Sequence, residues 1–285
     1  MSKTNAITFR FARGAKASLL KARLRACQTI KRKLGRDWVY AVPEFMDIAE
    51  KLLMTPELAT ASNNIIWQTG RNTVWRTEVS GEKGVFDIVY KSRPGRYRIN
   101  RCISPSAMVR DAINLLAINS LGFRTTELHA VGENRTLTHW QYAFIVTRFA
   151  DGFKEVTQIL PGEPYADHPW IKDAVIEASL KALAKLHTLG IYHKAFKHFN
   201  IMWKESDDNS IELCLFDFET SRTIWFESFE KYMVRDLFDF FRPLELSEKA
   251  LLHWIAVYLN ANTSCLASSE AVFSRVMHLF KEKGV

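Results

Sequence analysis

The stretch from Gly190 to Glu219 leaves this chain the least conformational freedom. It reads Gly190-Ile191-Tyr192-His193-Lys194-Ala195-Phe196-Lys197-His198-Phe199-Asn200 and ends Phe216-Asp217-Phe218-Glu219. Between them lie two short apolar strand patterns, Asn200 to Trp203 and Ile211 to Phe216, joined by the polar turn Ser206-Asp207-Asp208-Asn209-Ser210. A short antiparallel hairpin returns the chain to its starting point, so this one sets Asn200 and Asp217 side by side. An amide oxygen and a carboxylate at one point are hard oxygen donors of the kind that hold Mg²⁺ against phosphates. Singly, each residue has an ordinary explanation, since Asn often caps a strand and Asp often opens a turn. The ordered set is far less ordinary.

The rest of the chain sorts strands from helices along its length. Three β-branched and aromatic runs, Ile65 to Trp67, Thr73 to Val79 and Val85 to Lys91, are separated by Gly-bearing connections, which predicts an antiparallel meander. A helix is expected over Ser106 to Leu121, opened by Ser104-Pro105-Ser106 and closed by Gly122. Two more strands are expected at Leu128 to Val131 and Tyr142 to Arg148. Beyond Asp151 the periodicity is helical over 171–189, 226–242, 247–259 and 268–282, interrupted only by the hairpin. Strands first and helices second is the order of an α+β protein, with a β-rich N-lobe over 61–150 and a mainly helical C-lobe over 151–285. Residues 1–60 read as a basic, mainly helical extension. There Leu20, Leu24, Cys27, Ile30 and Leu34 recur at helical spacing among Lys16, Lys21, Arg23 and Arg25. Such a helix either docks on an anionic membrane surface or lays its apolar stripe on the domain.

His193-Lys194-Ala195-x-Lys197-x-x-Asn200, followed one hairpin later by Asp217-Phe218-Glu219, resembles the catalytic loop H-R-D-x-K-x-x-N and the metal-binding D-F-G of protein kinases. The resemblance implies a two-lobed protein-kinase-like fold that uses ATP and Mg²⁺ to phosphorylate a hydroxyl. It implies that Asn200 and Asp217 ligate the metal, that Lys197 neutralises the transferring phosphate, and that His193 braces the loop. It also implies that Lys91, ending the third strand, meets the α- and β-phosphates, and that Asp111 on the following helix orients it. Lys83 is the alternative lysine, in an expected turn. Gly70 with Arg71 is all that stands for a glycine-rich loop covering the phosphates.

Among kinase-like families the chain resembles the bacterial lipopolysaccharide-core kinases that phosphorylate Kdo or heptose sugars. The features are Asp-x-x-x-Leu-Leu-x-x-x-x-Leu-Gly-Phe from Asp111 to Phe123, the run Leu128 to Glu133, the Gly190-Ile191-Tyr192-His193 loop, the Asp-Phe-Glu ending and Arg235-Asp236-Leu237. The resemblance implies an anionic acceptor such as a lipopolysaccharide-core sugar, which accords with the net charge of +8 and a pI near 9.3. Kinases of a protein or a soluble small molecule are the alternatives. A nucleic-acid binder would share the charge, but no helix-turn-helix, zinc or RNA-binding motif is present.

Ala195 stands where the family has its aspartate. A general base contributes about 10²–10⁴-fold to rate, so the resemblance implies an impaired enzyme. Two origins remain open: a natural nucleotide-binding pseudokinase, or an active enzyme whose aspartate was replaced. Retention of Lys91, Asn200 and Asp217 favours the second. No run reaches the ~18 apolar residues of a membrane span, and no export signal opens the sequence. The expectation is a cytoplasmic protein, with peripheral contact on the inner membrane as one of the two roles open to its basic helix.

Overall fold

The alternating runs before Arg148 pair into one antiparallel sheet. A computed structural model describes residues 15–30, 33–34, 37–54, 65–68, 72–95, 105–135, 140–223 and 229–284. Two units follow from backbone contacts, residues 20–151 and residues 1–19 with 152–285. Most of helix α1 (Ala15–Ile30) belongs to the first unit, with strands β1 (Lys33–Leu34) and β2 (Asp37–Ala41), helix α2 (Met46–Met54), and strands β3 (Ile65–Gln68), β4 (Thr73–Gly81) and β5 (Gly84–Pro94). Helix α3 (Ala107–Ser120) and strands β6 (Leu128–Arg135) and β7 (Trp140–Arg148) complete it. The sheet order is β1-β2-β6-β7-β5-β4-β3. The meander β3-β4-β5 lies where the sequence predicts it, and α3 starts at the predicted cap, with Ser106 Oγ accepting from Val109 N at 3.2 Å.

Residues 37–54, grouped by composition with the basic extension, are integral to this unit. β2 pairs with β6 from Trp38↔Glu133 to Ala41↔Ala130. Phe45, Ile48, Ala49 and Leu52 then bury against Trp75, Ile88, Tyr90, Phe144 and Val146. Each large side chain so buried contributes about 1.5–3 kcal/mol relative to exposure. Gly132 admits a close approach beside this core, because a Cβ there would sit 2.3 Å from the Phe144 ring.

The expected leucine stripe of α1 differs from the face it buries. Ala22, Ala26 and Ile30 are buried, with Ala22 and Ala26 packed on Ala117 beside Ile113, Leu116 and Leu121, while Leu20 and Leu24 are exposed. The helix ends at Ile30, and Leu34 lies in β1. The α3 surface takes small residues at close approach, which turns the bulkier leucines outward.

The second unit holds β8 (Lys154–Glu155), α4 (Pro169–Thr188), β9 (Ile191–Tyr192), β10 (Ile201–Glu205), β11 (Ile211–Leu215), β12 (Arg222–Thr223), α5 (Phe229–Phe241), α6 (Glu248–Ala261) and α7 (Ser269–Lys283). Val175, Ile176, Leu180 and Leu183 form the buried face of α4, and α4 packs on α6. The predicted hairpin is β10-β11, in register from Ile201↔Leu215 to Glu205↔Ile211.

Candidate active site

Lys91 lies on an inner strand, opposite Val74 on one side and Ile145 on the other, so its backbone is fixed by two neighbours. Its Nζ is 3.7 Å from Asp111 Oδ2 on α3. That ion pair exceeds direct hydrogen-bond length, as the short aspartate side chain would produce. Lys83 is exposed in the β4-β5 turn and belongs to no such pair among the described residues. The start of α3 is held by a residue that sequence reasoning did not assign: the fully buried Glu133 carboxylate accepts from Ser106 N at 2.6 Å. An anion at a helix N-terminus is favoured by the helix dipole, and this one fixes the helix that carries Asp111. Gly70 and Arg71 lie outside the described residues.

In the second unit the hairpin register continues past Ile201↔Leu215, with Phe216 N donating to the Asn200 carbonyl at 3.3 Å. Asn200 and Phe216 thus face each other, and Asp217 follows at once. Asn200 Nδ2 donates to the Ala195 carbonyl at 2.8 Å, which turns its Oδ1 away from the loop and leaves it available as a ligand. The same Ala195 carbonyl accepts from Lys197 N at 2.8 Å. Lys194 and Asp217 both adopt left-handed backbone, with φ of 68° and 60°. For residues with a Cβ this costs of order 1–3 kcal/mol each, and such strain concentrates where side-chain direction matters.

His193 and His198 point inward. The fully buried His193 ring lies 4.5 Å from that of Phe218 and 5.7 Å from that of Phe196. Burial lowers its pKa, against the opposing pull of Asp236 and Asp217. His198 stacks on Phe240 at 4.8 Å and 8°, and burial pushes its pKa down to about 3. It faces the core, not solvent.

Asp236 is the residue whose role the sequence spacing did not disclose. Its Oδ2 accepts from His193 N at 3.0 Å and from His187 Nε2 at 3.2 Å. His187 Nδ1 meets Tyr258 Oη at 2.7 Å, and Asn262 Nδ2 donates to that hydroxyl at 2.6 Å. Asn262 Oδ1 accepts from Ser264 Oγ at 2.7 Å, which fixes the amide's orientation. The chain of donors therefore runs one way, with Tyr258 donating to His187 and His187 donating to Asp236. The loop is thus tied to α4, α5 and α6. A buried aspartate within the apolar stretch Met233-Val234-Arg235-Asp236-Leu237-Phe238 was the signal available. One turn on, Asp239 accepts from Arg235 Nε at 3.1 Å. Burial raises its carboxyl pKa despite Arg235 and Lys197.

The donor set suits Mg²⁺, which binds through one or two protein oxygens and keeps its remaining positions for water and phosphate. One carboxylate and one amide oxygen whose nitrogen is already engaged meet that requirement.

The family model for lipopolysaccharide kinase (Kdo/WaaP) matches residues 93–258, more than half of the chain. The match begins just beyond Lys91 and includes Asp111, the loop, Asp217 and Asp236. Among solved structures, WaaP in complex with acyl carrier protein is similar with a TM-score of 0.57 at 16% identity, over 86% of this chain and 97% of that one. The BubR1 kinase domain gives a TM-score of 0.45 at 11% identity, over 96% and 94%. No curated protein sequence matches. The likeness to WaaP shows the kinase-like α+β fold, and with the family match the conclusion follows that this chain belongs to the lipopolysaccharide kinase (Kdo/WaaP) family.

Proposed function

We propose that this chain binds ATP with Mg²⁺ and has the machinery to move the γ-phosphate to a hydroxyl of a lipopolysaccharide-core sugar, with turnover held back by Ala195. The observation that carries the reading is Asn200, whose side-chain nitrogen is taken by the Ala195 carbonyl and whose own backbone carbonyl accepts from Phe216 N, the residue before Asp217. In this reading Asn200 and Asp217 hold the metal, which screens the phosphate charge when bound. Lys91, steadied by Asp111, binds the α- and β-phosphates, and Lys197 meets the transferring group. The Ala195 methyl can neither accept nor orient the acceptor's proton. The test is equilibrium ATP binding with and without Mg²⁺. The chain should bind ATP in a Mg²⁺-dependent manner, and Asp217→Asn should weaken binding at least about tenfold, or ~1.4 kcal/mol. A folded chain without ATP affinity rejects the reading.

A natural nucleotide-binding pseudokinase is the second reading. It is favoured by the way the loop keeps its shape through the Ala195 carbonyl, which needs no side-chain carboxylate.

Peripheral contact with the cytoplasmic face of a membrane fits the same reading. α1 carries no acid and exposes Leu20 and Leu24 beside Lys21 and Arg25, and each cation near an anionic surface contributes about 1 kcal/mol. No helix among the described residues is long and apolar enough to cross a membrane.

A further inference from the structure

Along six consecutive residues of the loop, burial alternates. Phe196, His198 and Asn200 are buried, whereas Ala195 and Lys197 are partly exposed and Phe199 is 51% exposed. The inner three are fixed: Phe196 lies 5.7 Å from the Phe240 ring, His198 stacks on that same ring, and Asn200 is hydrogen-bonded to Ala195. Of the outer three, Lys197 and Phe199 lie together, with the Lys197 ammonium 5.5 Å from the Phe199 ring centroid, and Ala195 is two residues before Lys197 in the same anchored loop.

A single exposed phenylalanine needs no explanation of its own. This one has two residues of the same loop that give it meaning. Ala195 marks the place of the acceptor hydroxyl. Lys197 Nζ lies 5.5 Å from the Phe199 ring centroid, within cation–π range. Among the described residues Lys197 has no ion-pair partner, and Asp239, which feels its charge, is already held by Arg235. A flat apolar ring and an unpaired cation beside the reacting position together match a ligand with a flat C–H face and an anionic substituent.

We infer that Phe199 and Lys197 form the acceptor platform. The Phe199 ring lies under the C–H face of an acidic sugar, and the Lys197 ammonium, with three donors to share, meets the transferring phosphate on one side and pairs on the other with the sugar's carboxylate or phosphate, bringing one hydroxyl over residue 195. Phe199 is thereby the specificity-determining residue for the phosphate acceptor. This rests on the phosphotransferase reading above.

The test uses the full chain with Kdo as acidic probe, glucose as neutral control, and Mg-ATP affinity as control for the fold. In Phe199→Trp, Kdo should change the indole emission saturably. Phe199→Ala should weaken Kdo binding at least tenfold with Mg-ATP affinity intact. Lys197→Gln should bring Kdo and glucose to within about twofold of each other, since only the acid has a charge to lose. A Phe199→Ala chain that binds Kdo within twofold of its parent overturns the platform. So does a parent that binds Mg-ATP but not Kdo, or a Phe199→Trp chain that binds Kdo without an emission change. Absence of Mg-ATP binding in the parent instead defeats the phosphotransferase reading itself.

Discussion

At the scale of residues, the loop depends on histidines that stay neutral. Burial holds the His193 pKa below its ordinary value and that of His198 at about 3. The unfolded chain, with its histidines near the ordinary value of about 6.5, binds more protons through the intervening range. Stability is thus complete above about pH 6.5 and drains as pH falls, by up to ~1.4 kcal/mol per pH unit for each histidine. The urea midpoint should be lower at pH 4.5 than at pH 7.5. His198→Phe, which keeps a ring against Phe240, should flatten that dependence, and an unchanged slope would contradict the assignment. His193, Lys197, Asn200 and Asp217 were named from the resemblance of one short segment, and the fold keeps that segment local, a loop running into the β10-β11 hairpin. Asp236 was not legible in the same way, since its partner His193 is 43 residues distant and only tertiary packing joins them.

At the scale of elements, the β6-β7 pair is limited by Gly132. A methyl at that position would overlap the Phe144 ring on the neighbouring strand. Gly132→Ala should lower stability by about 1–3 kcal/mol in urea titration, and an unchanged midpoint would contradict that close approach. Helix α1 teaches a different lesson. Periodicity identified the helix but chose the wrong face, because a buried face is decided by the partner surface, and α3 accepts Ala22 and Ala26. The outward leucines give the membrane reading a direct check. Leu20→Glu with Leu24→Glu should reduce co-sedimentation with anionic vesicles at least tenfold. Equal sedimentation, or a parent that never sediments, would contradict it.

At the scale of the whole molecule, strands before helices announced the α+β class, and the strand-rich unit ends at Asp151. Composition hid the membership of residues 37–54. Their basic neighbours dominate the charge of the region, while sheet pairing depends on the aromatic and β-branched run from Trp38 to Tyr40 and on an available β6 edge. The family match and the kinase-like fold leave one central question, whether residue 195 alone stands between this chain and phosphoryl transfer. The direct measurement is γ-phosphate transfer to lipopolysaccharide core by Ala195→Asp beside the parent chain. The account predicts a gain of about 10²–10⁴-fold, the contribution of a general base, that is lost again when Asp217→Asn is added. A rate no higher than the parent's, or a gain indifferent to Asp217, would contradict it.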